Sequence, residues 1–317
     1  MRAVWLKGFG GPEVLVPGEA PDPVPAEGQV LIEVAFANIT FVETQMRAGT
    51  GPAPVRLEPP VIPGNGVGGV VTAVGAGVDG ALAGRRVVSS TGGSGAYAEK
   101  VAVDAKALFD VPDGLALDDA VALLADGRTA VMMLDAAGPR PGERVLVEAA
   151  AGGVGTLLVQ LAKERGATVV AAAGGAHKTE VPLRLGADEA VDYREPGWSK
   201  KLGELDVVFD GVGGDVAREA FTLLRGGGRM VSFGLASGEW ADIPDEEAAR
   251  RGVVLVRPSA TPERLREFTI SALEEAARGR LRPVIGQRFP LDGAADAHRG
   301  IESRSTVGKT LLEVRPS

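Results

Sequence analysis

The chain has 317 residues, 45% of them hydrophobic and 24% charged, with a formal net charge of −8. That length suits two domains, and the acidic balance without a Lys/Arg run speaks against a nucleic-acid footprint. Cysteine is absent and only two histidines occur, His177 and His298. This excludes disulfides, thiolate nucleophiles and zinc–thiolate sites, and it leaves too few ligands for a tetrahedral catalytic zinc.

The N-terminal "MRAVWLKGFG" reads as a strand and lacks the apolar core of a signal peptide. No apolar run is long enough to span a membrane, so a cytoplasmic protein is expected. Residues 1 to about 120 are β-rich: "VLIEVAFANI" (30–39), "GVVTAVGAGV" (69–78) and "RRVVSS" (85–90) are β-branched runs broken by Gly and Pro. From about 121 apolar strands alternate with helices. The strands are "RVLVEAA" (144–150), "TVVAAA" (168–173), "EAVDY" (189–193), "DVVFDGV" (206–212), "RMVSFG" (229–234) and "VVLVRP" (253–258). Such alternation marks an α/β region with a doubly wound parallel sheet. The last strand would leave an apolar edge that invites pairing with a second copy, so a homodimer is expected. "TPERLREFTISALEEAARGR" (261–280) reads as a helix capped by Thr261, with Pro262 in its first turn. The tail adds one more helix and strand and is expected to rejoin the first domain.

"VLVEAAAGGVGTLLVQLAK" reads as strand, glycine turn and helix, with Gly152, Gly153, Val154 and Gly155 at the turn and Ala150 in place of a first glycine. A side chain at Gly152 would keep the backbone off a pyrophosphate, and one at Gly155 would keep the helix off the strand. The helix N-terminus offers free N–H groups and partial positive charge to phosphates. An acid at the end of the second strand would bind the ribose hydroxyls of NAD and repel a 2′-phosphate. Here Gly174 and Gly175 stand instead, leaving room, and His177 and Lys178 follow. A preference for NADPH is expected, with Lys178 as a point charge for the phosphate. Three other glycine-rich stretches are set aside. "GNGVGGV" (64–70) leads into a barrel strand, "GKT" (308–310) lacks the upstream glycine of a P-loop, and "RGGGRM" (225–230) is expected to connect a helix to a strand.

Together these features resemble the medium-chain dehydrogenase/reductase superfamily, in its zinc-free quinone oxidoreductase branch. The resemblance rests on "VGAGV" (74–78), "GAYAEKVAV" (95–103), "DGRTAVMML" (126–134), "EAAAGGVGTLLVQLAK" (148–163), "LGADEAVDYRE" (185–195), "FDGVGG" (209–214), "MVSFGLASG" (230–238) and "AHRGIESRSTVGKTLL" (297–312). It implies a GroES-like β-barrel substrate domain over 1–120 and 266–317, a Rossmann domain over 121–265, a cleft between them and a homodimer. It also implies that Gly174, Lys178 and Tyr193 meet the 2′-phosphate end of the cofactor. Phe233 and Gly234 would flank the nicotinamide, Thr129 would lie under the ring, and Arg304 would approach the cofactor. Where zinc-dependent members carry metal ligands, this chain has Thr40, Asn65 with Gly66, and Ala125. Where this branch often carries Asn and Tyr facing the substrate, Thr40 and Gln45 stand, and Asn38 is two residues early.

With neither metal nor activated nucleophile, hydride from NADPH would need an electron-poor acceptor, a quinone or a C=C conjugated to a carbonyl. Thr40 and Gln45 could hydrogen-bond its carbonyl, and Tyr97 is a candidate proton donor. An enoyl-thioester reductase is the rival enzyme; it needs basic residues for a phosphopantetheine arm, and "APVRLEPP" (53–60) offers only Arg56. A non-catalytic NADPH-binding sensor or structural protein is the third reading.

Overall fold

The computed structural model describes residues 1–51 and 57–315, so Arg56 lies outside the described residues. Two compact units emerge, Met1–Ala125 with Leu273–Ser317, and Asp126–Ala272.

The first unit opens with β1 (Arg2–Leu6), β2 (Leu15–Glu19) and β3 (Gln29–Ile39). In β3 the inward residues Val30, Ile32 and Val34 are fully buried and alternate with half-buried ones, the period-two pattern of a strand with one face on a core. Then come α1 (Phe41–Ala48), β4 (Gly66–Val74), β5 (Arg86–Ser90), β6 (Lys100–Asp104), β7 (Leu108–Asp110) and α2 (Leu117–Ala137), which begins in the first unit and continues into the second from Asp126.

The second unit holds β8 (Arg144–Val147), α3 (Gly153–Glu164), β9 (Thr168–Ala173), α4 (Ala176–Arg184), β10 (Glu189–Asp192), β11 (Leu205–Asp210), α5 (Gly214–Thr222), β12 (Leu224–Ser232), α6 (Asp245–Arg251), β13 (Val254–Val256) and the start of α7 (Pro262–Ala277), whose last residues from Leu273 belong to the first unit. Its strands run parallel in the order β10-β9-β8-β11-β12-β13. This is the doubly wound order that binds dinucleotides, with its switch point between β8 and β11. β8 and β11 are buried throughout or nearly so, because helices cover both faces. Residues 225–228, expected as a connection, lie inside β12. They form an irregularity where the pairing with β11 slips, and Gly227 takes φ +83° there.

The chain then returns with β14 (Ile285–Pro290), α8 (Ala294–Glu302) and β15 (Lys309–Glu313). These strands extend the first unit's sheet in the order β14-β15-β3-β4-β5-β7, with β6 also paired to β3. Ile32, Val34, Val67, Val87 and Leu312 meet in its core.

Candidate functional site

In the second unit, Gly152 is the N-cap of α3 and the three residues after it start the helix. Val154 follows the expected turn, and Leu157, Leu158 and Leu161 press the helix onto the sheet. A Cβ at Gly155 would overlap the carbonyl oxygen of Ala149, so only glycine lets α3 approach the end of β8 this closely. Ala149 itself is left-handed at φ 48°, an uncommon state for a non-glycine that costs on the order of 1 kcal/mol. The backbone is thus bent to present the helix N-terminus. The carboxylate of Asp126, a residue not singled out from sequence, lies against Gly153 at that N-terminus.

The end of β9 differs from expectation. Gly174 and Gly175 do not leave open space: a Cβ at Gly174 would stand 2.6 Å from the Tyr193 hydroxyl, and one at Gly175 would strike the Arg194 guanidinium. The glycines instead admit a phenol and a second cation beside the first turn of α4. That turn carries exposed His177 and half-buried Lys178. Arg194 was missed because only the fold brings the residue after β10 back over the end of β9. Asp192 ends β10 and accepts from the N–H groups of Gly175 at 2.8 Å and Arg194 at 3.0 Å. Burial works to raise its pKa, but those N–H donors and the Arg194 side chain outweigh it and hold the carboxyl below its ordinary value. Phe233 donates its N–H to the carbonyl of Asp210 at 2.8 Å. A Cβ on Gly234 would sit 2.7 Å from the carbonyl oxygen of Gly211, so the 233–234 segment packs directly on the turn after β11. Thr129 is half-buried in α2.

In the first unit, Gln45 lies in α1 and Thr40 is its N-cap. The Glu43 carboxylate accepts from the Thr40 N–H at 2.5 Å, the Thr40 hydroxyl at 3.0 Å and the Asn65 N–H at 2.9 Å. Burial pushes this carboxyl up, while those donors and the charge of Lys309 pull it back. The Thr40 proton is therefore committed to Glu43, and Gln45, half-buried in the helix, supplies carboxamide N–H donors. Tyr97 is a correction: it is fully buried, with its hydroxyl 2.9 Å from Nε2 of His298. Burial drives the Tyr97 phenol well above its ordinary value, with the Glu43 charge adding to the effect, and the buried hydroxyl is engaged by His298 rather than open to an acceptor. Asn38 is likewise buried and donates to the Val121 carbonyl at 3.3 Å. Arg304, expected at the cofactor, is exposed in the left-handed conformation, with its guanidinium 5.6 Å over the Phe41 ring.

The residues at the zinc-ligand positions do not fit a metal. Gly66 and Ala125 have no ligating side-chain atom, and the Asn65 oxygen already accepts from Ser90 Oγ at 2.8 Å and the Gly93 N–H at 2.7 Å. Among the described residues no group of three or more His, Cys, Asp or Glu side chains could hold a metal ion.

A glycine turn at the switch point of this sheet, joined to a GroES-like unit, defines an oxidoreductase of the medium-chain dehydrogenase/reductase superfamily. Two family descriptions match, the alcohol dehydrogenase GroES-like domain over residues 26–113 and the zinc-binding dehydrogenase over residues 185–312. A Schizosaccharomyces pombe protein named "Probable quinone oxidoreductase" is 37% identical over 92% of this chain and 90% of its own length. A 2-haloacrylate reductase of Burkholderia sp is 31% identical over 96% of each chain. The crystal structures of the quinone oxidoreductase of Thermus thermophilus and its NADPH complex match with a TM-score of 0.84 and 38% identity, over 99% of this chain and 100% of that one. The chain belongs to the quinone oxidoreductase branch of the superfamily.

Proposed function

We propose that the chain is an NADPH-dependent, zinc-independent reductase that passes hydride to a quinone or an α,β-unsaturated carbonyl compound. One observation carries the cofactor reading. The glycine cradle at Gly152–Gly155 sits in the same sheet as a β9 end where no acid follows the strand and Tyr193, Arg194 and His177 crowd the two glycines beside Lys178, with the Asp192 carboxylate of β10 offsetting part of that positive charge through its 3.5 Å pair with Arg194. Lys178 and Arg194 would hold the 2′-phosphate, Gly153 to Gly155 the pyrophosphate, and Phe233 and Gly234 would flank the nicotinamide, with Thr129 under the ring. When bound, NADPH supplies the hydride. Gln45 would donate to the acceptor oxygen as negative charge develops there, and Thr40, held by Glu43, would shape the start of α1. Solvent then provides the proton. The haloacrylate reductase supports the enone arm, because a haloacrylate is itself a C=C conjugated to a carboxylate.

The test is NADPH oxidation with 1,4-benzoquinone, an α,β-unsaturated ketone and crotonyl-CoA. Turnover of either of the first two supports the reading. Turnover of crotonyl-CoA alone would make the chain an enoyl-thioester reductase, and tight NADPH binding without any turnover would make it a sensor or structural protein. Lys178→Glu is expected to lower the NADPH/NADH ratio of kcat/KM by about tenfold or more; an unchanged ratio contradicts the assignment of the phosphate. The proposal includes a cytoplasmic homodimer. β13 is the edge of its sheet and its Val254 is 54% exposed, a surface that a second copy would cover. Light scattering at micromolar concentration checks this, and a monomer refutes it.

A further inference from the structure

Three polar side chains lie side by side at the carboxyl ends of β8, β11 and β12. Val147 pairs with Phe209, so Glu148 and Asp210 occupy the next rung, and Asp210 pairs with Ser232. Glu148 and Asp210 are both fully buried. Asp210 is well supplied with donors: the N–H groups of Val212 at 3.0 Å and Gly213 at 2.7 Å, and the Ser232 hydroxyl at 2.7 Å. Glu148 receives the Val212 N–H at 3.3 Å and the Gly211 N–H also acts on its carboxyl, but its Oε1 makes no hydrogen bond. Two carboxylates this close in a dry interior cannot both be ionised. A proton on Glu148 removes the conflict, since its O–H can then donate to Asp210. Burial pushes the Glu148 carboxyl well above its ordinary value, and the charge of Asp210 reinforces this.

The row sits at the switch point of the sheet. Glu148 is followed by the left-handed Ala149 and the glycine turn. Asp210 and Ser232 lead into the Gly211–Gly213 turn and the Phe233–Gly234 segment packed on it. We propose that Glu148 is a positioning residue of the dinucleotide site, which carries a proton, donates it in a hydrogen bond to Asp210, and so fastens the turn after β8 to the turn after β11. The inference rests on the proposed dinucleotide reading for its functional consequence, but the shared proton does not depend on that reading.

Two measurements test it. The first is the infrared difference spectrum of the intact protein against Glu148→Gln at neutral pH. The expected result is a protonated-carboxyl C=O stretch, shifted by deuterium, that the variant lacks. A spectrum without that band overturns the inference. The second compares NADPH affinity in Glu148→Gln and Glu148→Leu. The glutamine amide can still donate to Asp210, so its Kd should stay within about twofold, whereas leucine should weaken binding about tenfold and raise the KM for NADPH more than it lowers kcat. Equal affinities for the two variants, whether both weak or both tight, would also overturn it. A chain that showed the band yet bound no dinucleotide would sink the proposed function. A chain that bound NADPH without the band would sink only the assignment of Glu148.

Discussion

Two buried glutamates solve one problem in opposite ways. Glu43 in the first unit and Glu148 in the second are each removed from water, and burial drives both carboxyls up. Glu43 is met by three donors, from Thr40 and Asn65, and by the charge of Lys309, which oppose the upward push of burial without cancelling it. Glu148 is met by the backbone N–H groups of Val212, at 3.3 Å, and Gly211, but also by a second carboxyl, and its Oε1 lacks a hydrogen bond, so its neutral form is the one that fits. The two sites differ in what faces the desolvated carboxyl: donors and a cation oppose the shift at Glu43, whereas a second carboxyl reinforces it at Glu148. Glu43 fixes the start of a helix as an acceptor, and Glu148 joins two strand ends as a donor.

The contrast can be broken most sharply at Asp210. Asp210→Leu strips the acceptor from two buried N–H groups and the Ser232 hydroxyl, and should cost about 4 kcal/mol of stability in urea unfolding. A loss below about 1 kcal/mol would mean that the row is not the anchor described. Next comes the comparison of matched amides. Glu43→Gln must point an NH2 at existing donors, because both oxygens of Glu43 accept, and should cost about 2 kcal/mol more than Glu148→Gln in the same assay. Equal costs would erase the distinction between the two sites. A third, smaller effect concerns pH. Burial, assisted by the Arg47 charge, lowers His298 to about 3, so it is neutral in the folded chain while its unfolded counterpart protonates near 6.5. Stability is then full above about pH 6.5 and falls as pH drops toward 3, by about 2 kcal/mol at pH 5. His298→Gln should flatten that acid limb; an unchanged limb would assign it to other groups. The smallest effect is at the surface, where Arg264→Ala, which breaks exposed pairs with Asp135 and Glu267, should change stability by roughly 0.5 kcal/mol at most.

Much of the second unit was legible because its signals are local. Runs such as "TVVAAA" mark buried strands, and the spacing of Gly152, Gly153 and Gly155 dictates a turn whatever surrounds it. The first unit hid α1. Its eight residues include Phe, Val and Thr, which favour strands, yet Thr40-Phe41-Val42-Glu43 is a capping-box spacing that announces a helix start. Tyr97 shows the converse: nothing in "GAYAE" reveals that a histidine two hundred residues later will take its hydroxyl. Arg194 and Glu148 were equally opaque. A charged residue at a strand end is ordinarily solvated, and only the strand order places Glu148 beside Asp210 or folds Arg194 over Gly175. The glycines at 174 and 175 were visible, but their reason was not: they make room for the Tyr193 phenol and the Arg194 guanidinium.

The central claim is that positive charge gathered at the end of β9 selects a phosphorylated dinucleotide. The direct measurement is a fluorescence titration of the wild-type chain with NADPH and with NADH under identical salt. Tighter binding of NADPH by at least about tenfold is the predicted result, as one charge-assisted contact alone would give. Equal affinities, or tighter binding of NADH, would contradict it.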